Sequence, residues 1–419
     1  MKKTIFTLIC FLLSLTLLFV AGCGEKPQDT SSNSSDSIDN AIDERPRGEA
    51  LTEEELPYEK YIYETGFYSF NDNDFPTLEF NEGKNSYGEK SIHIIGDSIS
   101  EGAQAKAIYN NGYPALLKNS LNKYYGTNNW GYVIPFNTND NGDKELHFFR
   151  AEKGGWMRET HSPVTPGFVC YTSTDSAGAT ALIELDRRRD SYDRHINGFY
   201  IYYTSGSNYG GFEVTVNGQK VHTVAANGTL NNYARTEYIA VPDGLRNELE
   251  IRIVKTDDKS VSINGIAYAE QDDGLFVHNY ACSGMTLCEV EAPLLREMCK
   301  ANYVILALGY NDVGKGDPES YRQKFEIVVE ACKESGATLI CLDFLWPQKN
   351  LPTWGNNIRN EMFAAAQNAG GYYINFTDFY KVDPNFILAD TAHPTPAGYK
   401  LVARKLAYFL GIPFSSDLG

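Results

Sequence analysis

The chain has 419 residues, 42% of them hydrophobic, enough for two or three packed domains and incompatible with wholesale disorder. Lys plus Arg number 37 against 54 Asp plus Glu, a formal charge of −17. Such a surface repels phosphate backbones and argues against nucleic-acid binding. Aromatic residues make up 13%, with 28 tyrosines, a composition that suits sugar-facing surfaces and equally suits strands and cores.

Lys2 and Lys3 precede an apolar run from Ile5 to Val20. A charged start and a short apolar stretch form the pattern of a secretory signal, here residues 1–22. The run is marginal for a membrane span, although an uncleaved anchor is the alternative. It ends in Val20-Ala21-Gly22-Cys23, which resembles the bacterial lipobox. That resemblance implies cleavage before Cys23, lipidation of its thiol, and a lipoprotein held on the cell membrane outside the cytoplasm. Residues 23–57 are rich in Ser, Asp and Glu and poor in apolar side chains. They cannot bury enough surface to offset their ordering entropy and are expected to form a disordered tether. Beyond Cys10 and Cys23 the cysteines are Cys170, Cys282, Cys288, Cys299, Cys332 and Cys341. No C-x-x-C pair occurs, so no zinc site or other metal is expected, and no particular disulfide is predicted.

Ser91–Ile95 is a short β-rich run ending at Gly96, and 113–125 carries Leu117, Leu121 and Tyr124 at helical spacing before Gly126. From about 140 to 272 the rhythm changes. Phe199–Tyr203 reads as a strand; Phe212, Val214 and Val216 alternate with polar residues; Asn217-Gly218 supplies a type I′ turn into Val221–Val224. Leu249, Ile251, Ile253, Val261 and Ile263 continue the alternation, and no helix is evident. This stretch is expected to be a β-sandwich. Apolar runs then recur at 275–280, 303–308, 337–345 and 372–376, with helical patterns at 319–335, around Ile358, Met362 and Ala366, and after Thr395 and Pro396. Strands alternating with helices predict a parallel sheet covered on both faces. The expected division is 58–138 and 274–419 for the two parts of an α/β domain, with 139–273 as an all-β insert.

Four junctions carry polar residues beyond strand ends, where open α/β sheets bind ligands. They are Gly96-Asp97-Ser98-Ile99-Ser100-Glu101-Gly102, Ser283-Gly284-Met285-Thr286, Gly309-Tyr310-Asn311-Asp312 and Asp390-Thr391-Ala392-His393-Pro394. Taken singly, Ser98 reads as a helix N-cap, Asn311 as a turn residue, Asp390 as a cap and His393 as structural. In this order and context they resemble the consensus blocks GDSxxxG, Gly, GxND and DxxHP of the SGNH (GDSL-type) hydrolases. The resemblance covers roughly residues 88–135 and 275–412. It implies a three-layer α/β/α, flavodoxin-like domain that needs no cofactor. Ser98 would be the nucleophile, His393 its base and Asp390 the group that orients His393. The N–H groups of Ser98 and Gly284 and the Asn311 amide would form the oxyanion hole, each donor contributing about 3 kcal/mol of barrier lowering. Asp97 and Asp312 are expected to hold their loops. The absence of a G-x-S-x-G elbow, an H-E-x-x-H helix and a P-loop argues against ordinary α/β-hydrolase, metal and nucleotide chemistry.

Trp156, in Gly154-Gly155-Trp156, and Trp346, before Pro347, are candidate walls for a substrate, or packing residues. Arg187-Arg188-Arg189, flanked by Asp186 and Asp190, reads as a solvated loop. An SGNH frame split by a β-sandwich is similar to the peptidoglycan O-acetylesterase branch, in which the insert resembles a carbohydrate-binding module. The segments 154–156, 166–177 and 279–286 support that likeness. It implies removal of acetyl groups from a carbohydrate, with that carbohydrate and the membrane as partners and no obligatory protein partner. An O-acetyltransferase, a lipase or thioesterase on the same residues, or a non-catalytic surface sugar-binding lipoprotein remain open.

Overall fold

The computed structural model describes residues 45–80, 83–84, 88–106, 111–133, 147–160, 162–163, 165–185, 196–228, 233–246, 249–270, 274–313, 315, 317–346 and 353–416. The chain divides after Glu44, and the body comprises Arg45–Gly419. The expected signal, Cys23, the first part of the tether, Arg187–Arg189 and Pro347 lie outside the described residues.

In chain order the body begins with α1 (Glu59–Tyr63), β1 (Phe67–Ser69), β2 (Ser91–Gly96), α2 (Ser98–Glu101) and α3 (Tyr113–Tyr125). Eleven strands follow: β3 (Trp130–Val133), β4 (His147–Lys153), β5 (Met157–Thr160), β6 (Val169–Ser173), β7 (Thr180–Leu185), β8 (Gly198–Ser205), β9 (Gly211–Val216), β10 (Gln219–Ala225), β11 (Tyr233–Ala240), β12 (Glu250–Lys255) and β13 (Val261–Ala269). The chain then returns to alternation with β14 (Phe276–Asn279), α4 (Ala292–Met298), β15 (Tyr303–Ala307), α5 (Pro318–Ser335), β16 (Thr338–Asp343), α6 (Thr353–Ala369), β17 (Tyr372–Asn375), α7 (Pro384–Ile387) and α8 (Pro396–Phe409).

The first sheet runs β1-β17-β16-β15-β2-β14. Its pairs are parallel except β1 with β17. The continuous apolar runs of β2 and β15 follow from this position, since every residue of both strands is buried. Val304 and Leu306 join a cluster with Leu295, Phe325, Val328 and Met362, on α4, α5 and α6. Helices α3 and α8 pack on each other. Local chemistry sets the helix ends. Asp317 caps α5 and Thr395 caps α8, each side chain accepting a backbone N–H three residues on, while Gly126 and Gly336 close α3 and α5 in the left-handed conformation.

The other strands form two antiparallel sheets, β10-β9-β12-β7-β4 and β11-β8-β13-β6-β5, with β3 also paired to β13. Phe212, Val214, Ile251 and Ile253 of one sheet share a single buried cluster with Phe199, Ile201, Val261 and Ile263 of the other. The alternation in the sequence thus marks the inward faces. Asn217 and Gly218 both take positive φ, 50° and 79°, as a type I′ turn requires.

Two expected boundaries move. Strand β3, assigned to the α/β part ending at 138, pairs with β13 of the antiparallel sheet. There it presses on β14: a Cβ at Gly131 would stand 1.7 Å from the Val277 carbonyl oxygen, so only glycine permits this seam. Residues 45–57, expected to belong to a disordered tether, are instead held by the C-terminal part of the chain. Arg45 donates to the Phe409 carbonyl at 2.6 Å, the fully buried Arg404 donates to the Glu49 and Ala50 carbonyls at 2.5 and 3.0 Å, and buried Glu55 pairs with Arg404 at 3.3 Å. Gly48 also forms a bridge with Phe414. Ion pairs and backbone hydrogen bonds order this strap where apolar burial could not.

Candidate active site

Strand β2 delivers its chain into a tight turn. A Cβ at Gly96 would lie 2.2 Å from Ser100 Oγ, so the glycine lets α2 begin directly on the strand. The cap of α2 is Asp97, whose Oδ1 accepts the Ile99 N–H at 3.0 Å. This overturns the reading of Ser98 as a cap and leaves its hydroxyl available. Burial pushes the Asp97 carboxyl up to about 7; Asp312 and Glu101 act in the same direction, against the Ile99 N–H.

The loop between α7 and α8 meets Ser98. Asp390 Oδ1 accepts the N–H groups of Ala392 and His393 at 2.7 and 2.8 Å, and its Oδ2 lies 2.8 Å from His393 Nδ1. His393 Nε2 in turn lies 2.8 Å from Ser98 Oγ. Burial alone would raise the Asp390 pKa, but these two N–H donors and the imidazole bring it below the usual carboxylate value. Asp390 therefore presents a negative charge that fixes the proton of His393 on Nδ1 and leaves Nε2 to accept the serine proton.

The remaining predicted residues lie on neighbouring loops. Gly284 takes φ +81°. Asn311 Nδ2 lies 3.3 Å from the Met285 carbonyl and 3.4 Å from Asp97 Oδ2, which ties the third block to the first two. Both bonds are long, so the amide is available to a better acceptor. The buried Asp312 accepts the N–H groups of Leu287 and Cys288 at 3.0 and 3.1 Å. Among the described residues the N–H groups of Ser98 and Gly284 have no protein acceptor. The loop-holding roles expected for Asp97 and Asp312 agree with these bonds.

The two tryptophans take packing positions instead of walls. Trp346 is fully buried, and its Nε1 donates to the Ala392 carbonyl at 2.8 Å, supporting the His393 loop from beneath. Trp156 packs edge-on against Phe149 beside the core of the antiparallel sheets. The sequence reading missed two contributors. Asn279 donates to the Ser100 carbonyl at 2.8 Å, and Glu101 accepts the Ser283 N–H at 2.6 Å. Both join loops far apart in the chain; Glu101 stood inside the first block and Asn279 opened the 279–286 segment, but neither was given a role.

Glu89, His93 and His278 form a buried group whose ligand atoms lie within 4.8 Å of one another. His278 Nδ1 accepts the Tyr132 N–H at 2.9 Å, which places the ring proton on Nε2, facing Glu89. His93 Nδ1 donates to the Met298 carbonyl at 2.8 Å, and its Nε2 faces Ser91 Oγ at 3.1 Å. Burial and His278 push His93 down to about 3. The ring nitrogens are committed to protein partners across the seam of β2, β14 and β3, an arrangement that suits a hydrogen-bonded network and not a metal centre.

Residues 263–401 match the GDSL-like Lipase/Acylhydrolase family, a stretch that includes Gly284, Asn311, Asp390 and His393 and begins after Ser98. No curated protein matches the chain. Among solved structures it resembles one titled "Peptidoglycan O-acetylesterase in action, 5 min" with a TM-score of 0.59 and 17% identity, over 82% of this chain and 97% of that one. A family two carbohydrate esterase from Clostridium thermocellum aligns at a TM-score of 0.25 and 12% identity, over 60% of this chain and 97% of that one. An acetyl xylan esterase from Geobacillus stearothermophilus aligns at 0.30 and 19%, over 34% and 76%. Residues 263–401 thus match the model of a GDSL-like lipase/acylhydrolase family, and the fold over 82% of the chain resembles that of a solved peptidoglycan O-acetylesterase.

Proposed function

We propose that the protein is an extracytoplasmic serine esterase that removes O-acetyl groups from a carbohydrate, with cell-wall peptidoglycan as the first candidate and another acetylated polysaccharide as the second. The observation that carries this reading is the continuous chain of short contacts from Asp390 through His393 to Ser98 Oγ, 2.8 Å at each step. His393 Nε2 takes the Ser98 proton as the oxygen attacks the ester carbonyl. Asp390 stabilises the resulting imidazolium. The N–H groups of Ser98 and Gly284 and the Asn311 amide receive the oxyanion. His393 then protonates the departing sugar oxygen, leaving an acetyl-enzyme that water hydrolyses to acetate, again with His393 as base.

The substrate class rests on the fold likeness to a peptidoglycan O-acetylesterase and on the two antiparallel sheets, read as a carbohydrate-binding-like sandwich inserted in the hydrolase. Location rests on the leader: a signal over 1–22 and a lipidated Cys23 anchor the enzyme on the outer face of the cell membrane.

Release of acetate from O-acetylated peptidoglycan and from O-acetylated xylan, with intact protein and with Ser98→Ala, tests the proposal. Acetate should appear from at least one polymer and vanish with the variant. Undiminished release by Ser98→Ala overturns the mechanism, and acetyl transfer to a sugar acceptor in place of release identifies a transferase.

A further inference from the structure

We infer that Glu101 is a positioning residue that anchors Ser283, and with it the Cys282–Met285 turn, so that the Gly284 N–H faces the oxyanion; the inference rests on the serine-esterase reading. Glu101 ends α2, three residues after Ser98, and Gly102 follows in the left-handed conformation. Its Oε2 accepts both donors of Ser283, the N–H at 2.6 Å and the hydroxyl. Ser283 is the second residue of a turn over Cys282–Met285, closed by the Met285 N–H on the Cys282 carbonyl at 3.1 Å. Gly284 is the third residue, and its φ of +81° is the value a type II turn requires there.

The turn must sit at one place against α2 for the N–H groups of Gly284 and Ser98 to meet one oxygen. The rest of the loop is fixed elsewhere, by Asp312 on the Leu287 and Cys288 N–H groups and by the Cys282 N–H on the Gly96 carbonyl at 3.2 Å. Within the turn the Cys282 thiol meets the Ser283 carbonyl at 3.7 Å and the Asn311 amide the Met285 carbonyl at 3.3 Å, both long contacts, while Glu101 takes both donors of Ser283. Because Glu101 and Ser98 share one helical turn, the nucleophile and the Gly284 donor are placed by the same rigid piece of backbone.

The carboxylate is itself held in place. Burial raises its pKa, while the Ser283 donors and the positive charge of Arg158 oppose that rise. Arg158 belongs to β5, so the antiparallel sheets contribute a charge to the catalytic loops.

Two substitutions separate the position of the acceptor from its charge. Glu101→Gln keeps a carbonyl oxygen at the same reach without charge; Glu101→Asp keeps the charge and withdraws it by one methylene. Ser98→Ala runs alongside, and a fluorophosphonate counts competent Ser98 in every sample, so that rates refer to folded sites. With p-nitrophenyl acetate, Glu101→Gln should keep kcat within about threefold, while Glu101→Asp should lower it about tenfold or more with KM within twofold. A Glu101→Asp kcat equal to that of the intact protein overturns the inference, as does Glu101→Gln falling as far as Glu101→Asp. Loss of activity in Ser98→Ala together with either result leaves the esterase reading intact and removes only the role of Glu101. Retained activity in Ser98→Ala removes both.

Discussion

His393 Nε2 and Ser98 Oγ lie 2.8 Å apart although 295 positions separate them in the chain. The parallel sheet produces this meeting. Strand β2 sits inside the sheet and opens into α2, while the loop ahead of α8 is fastened by Trp346 and by the Tyr310 hydroxyl on the Thr391 carbonyl at 3.2 Å. Ser98→Ala should therefore fold normally, keep its melting temperature within about 2 °C, and lose p-nitrophenyl acetate hydrolysis by at least about a thousandfold. Hydrolysis rates and a melting curve on the same sample check this.

The Asn311 amide makes only long bonds in the free site, so its loss should leave substrate affinity nearly unchanged. Asn311→Ala is expected to lower kcat by about a hundredfold or more with KM within about threefold. Steady-state kinetics decide; an unchanged kcat removes Asn311 from the oxyanion hole.

Asp390 holds the His393 ring through one oxygen and the loop backbone through the other. Asp390→Asn leaves the shape of the loop but exposes Nδ1 to an amide that can donate a hydrogen bond and so favour the wrong tautomer. The expected fall in kcat is about a thousandfold or more. Far-ultraviolet circular dichroism identical to that of the parent, measured with the kinetics, shows that the loss is chemical and not structural.

Lys405 is fully buried, with its ammonium on the Tyr61, Thr65 and Asn375 carbonyls at 2.8, 2.6 and 3.1 Å. Burial pushes its pKa down from 10.5 to about 7. Between those values the unfolded chain binds a proton that the folded chain has released, so stability rises with pH across the window, by at most about 1.4 kcal/mol per unit, and is level below it. Lys405→Met should flatten this rise. Urea unfolding of both proteins at pH 6.5, 8 and 9.5 gives the difference directly; parallel profiles would show that Lys405 keeps its proton in the fold.

The strap over residues 45–57 carries a stability cost if broken. Glu55→Ala takes this carboxylate from the buried Arg404, leaving it the Glu49 and Ala50 carbonyls, Tyr63 and the Phe414 ring, and should cost about 3 kcal/mol. Burial would raise the Glu55 pKa, but the Thr52 N–H, Arg404 and Lys400 together hold it below its ordinary value. Its contribution is therefore present above the unfolded pKa and fades as pH falls through the folded one. The gap between parent and variant in urea unfolding should narrow in mild acid.

The strands and helices around the sheet were legible because burial on both faces writes unbroken apolar runs such as Tyr303–Leu308, and the polar blocks announced the site because three follow strands and the fourth precedes the last helix. The strap was not legible. Its partners, Arg404, Phe409 and Phe414, lie more than 350 positions away, and a segment poor in apolar residues gives no local sign of being held. Arg404 and Lys405 would sit on the polar side of an amphipathic helix, yet both are buried because the strap and α1 cover that side. Trp346 was left open between a wall and a non-binding role for a similar reason: position beyond a strand end does not distinguish a pocket wall from a prop under the next loop.

The anchoring of Arg45 on the Tyr408 and Phe409 carbonyls has a practical side. Helix α8 starts three residues after His393 and runs for 14 residues, so its far end lies about 21 Å from the reacting hydroxyl's neighbourhood. Anything grafted ahead of Arg45, whether a bead, a dye or a second enzyme, is attached at that distant pole, away from Ser98 and His393.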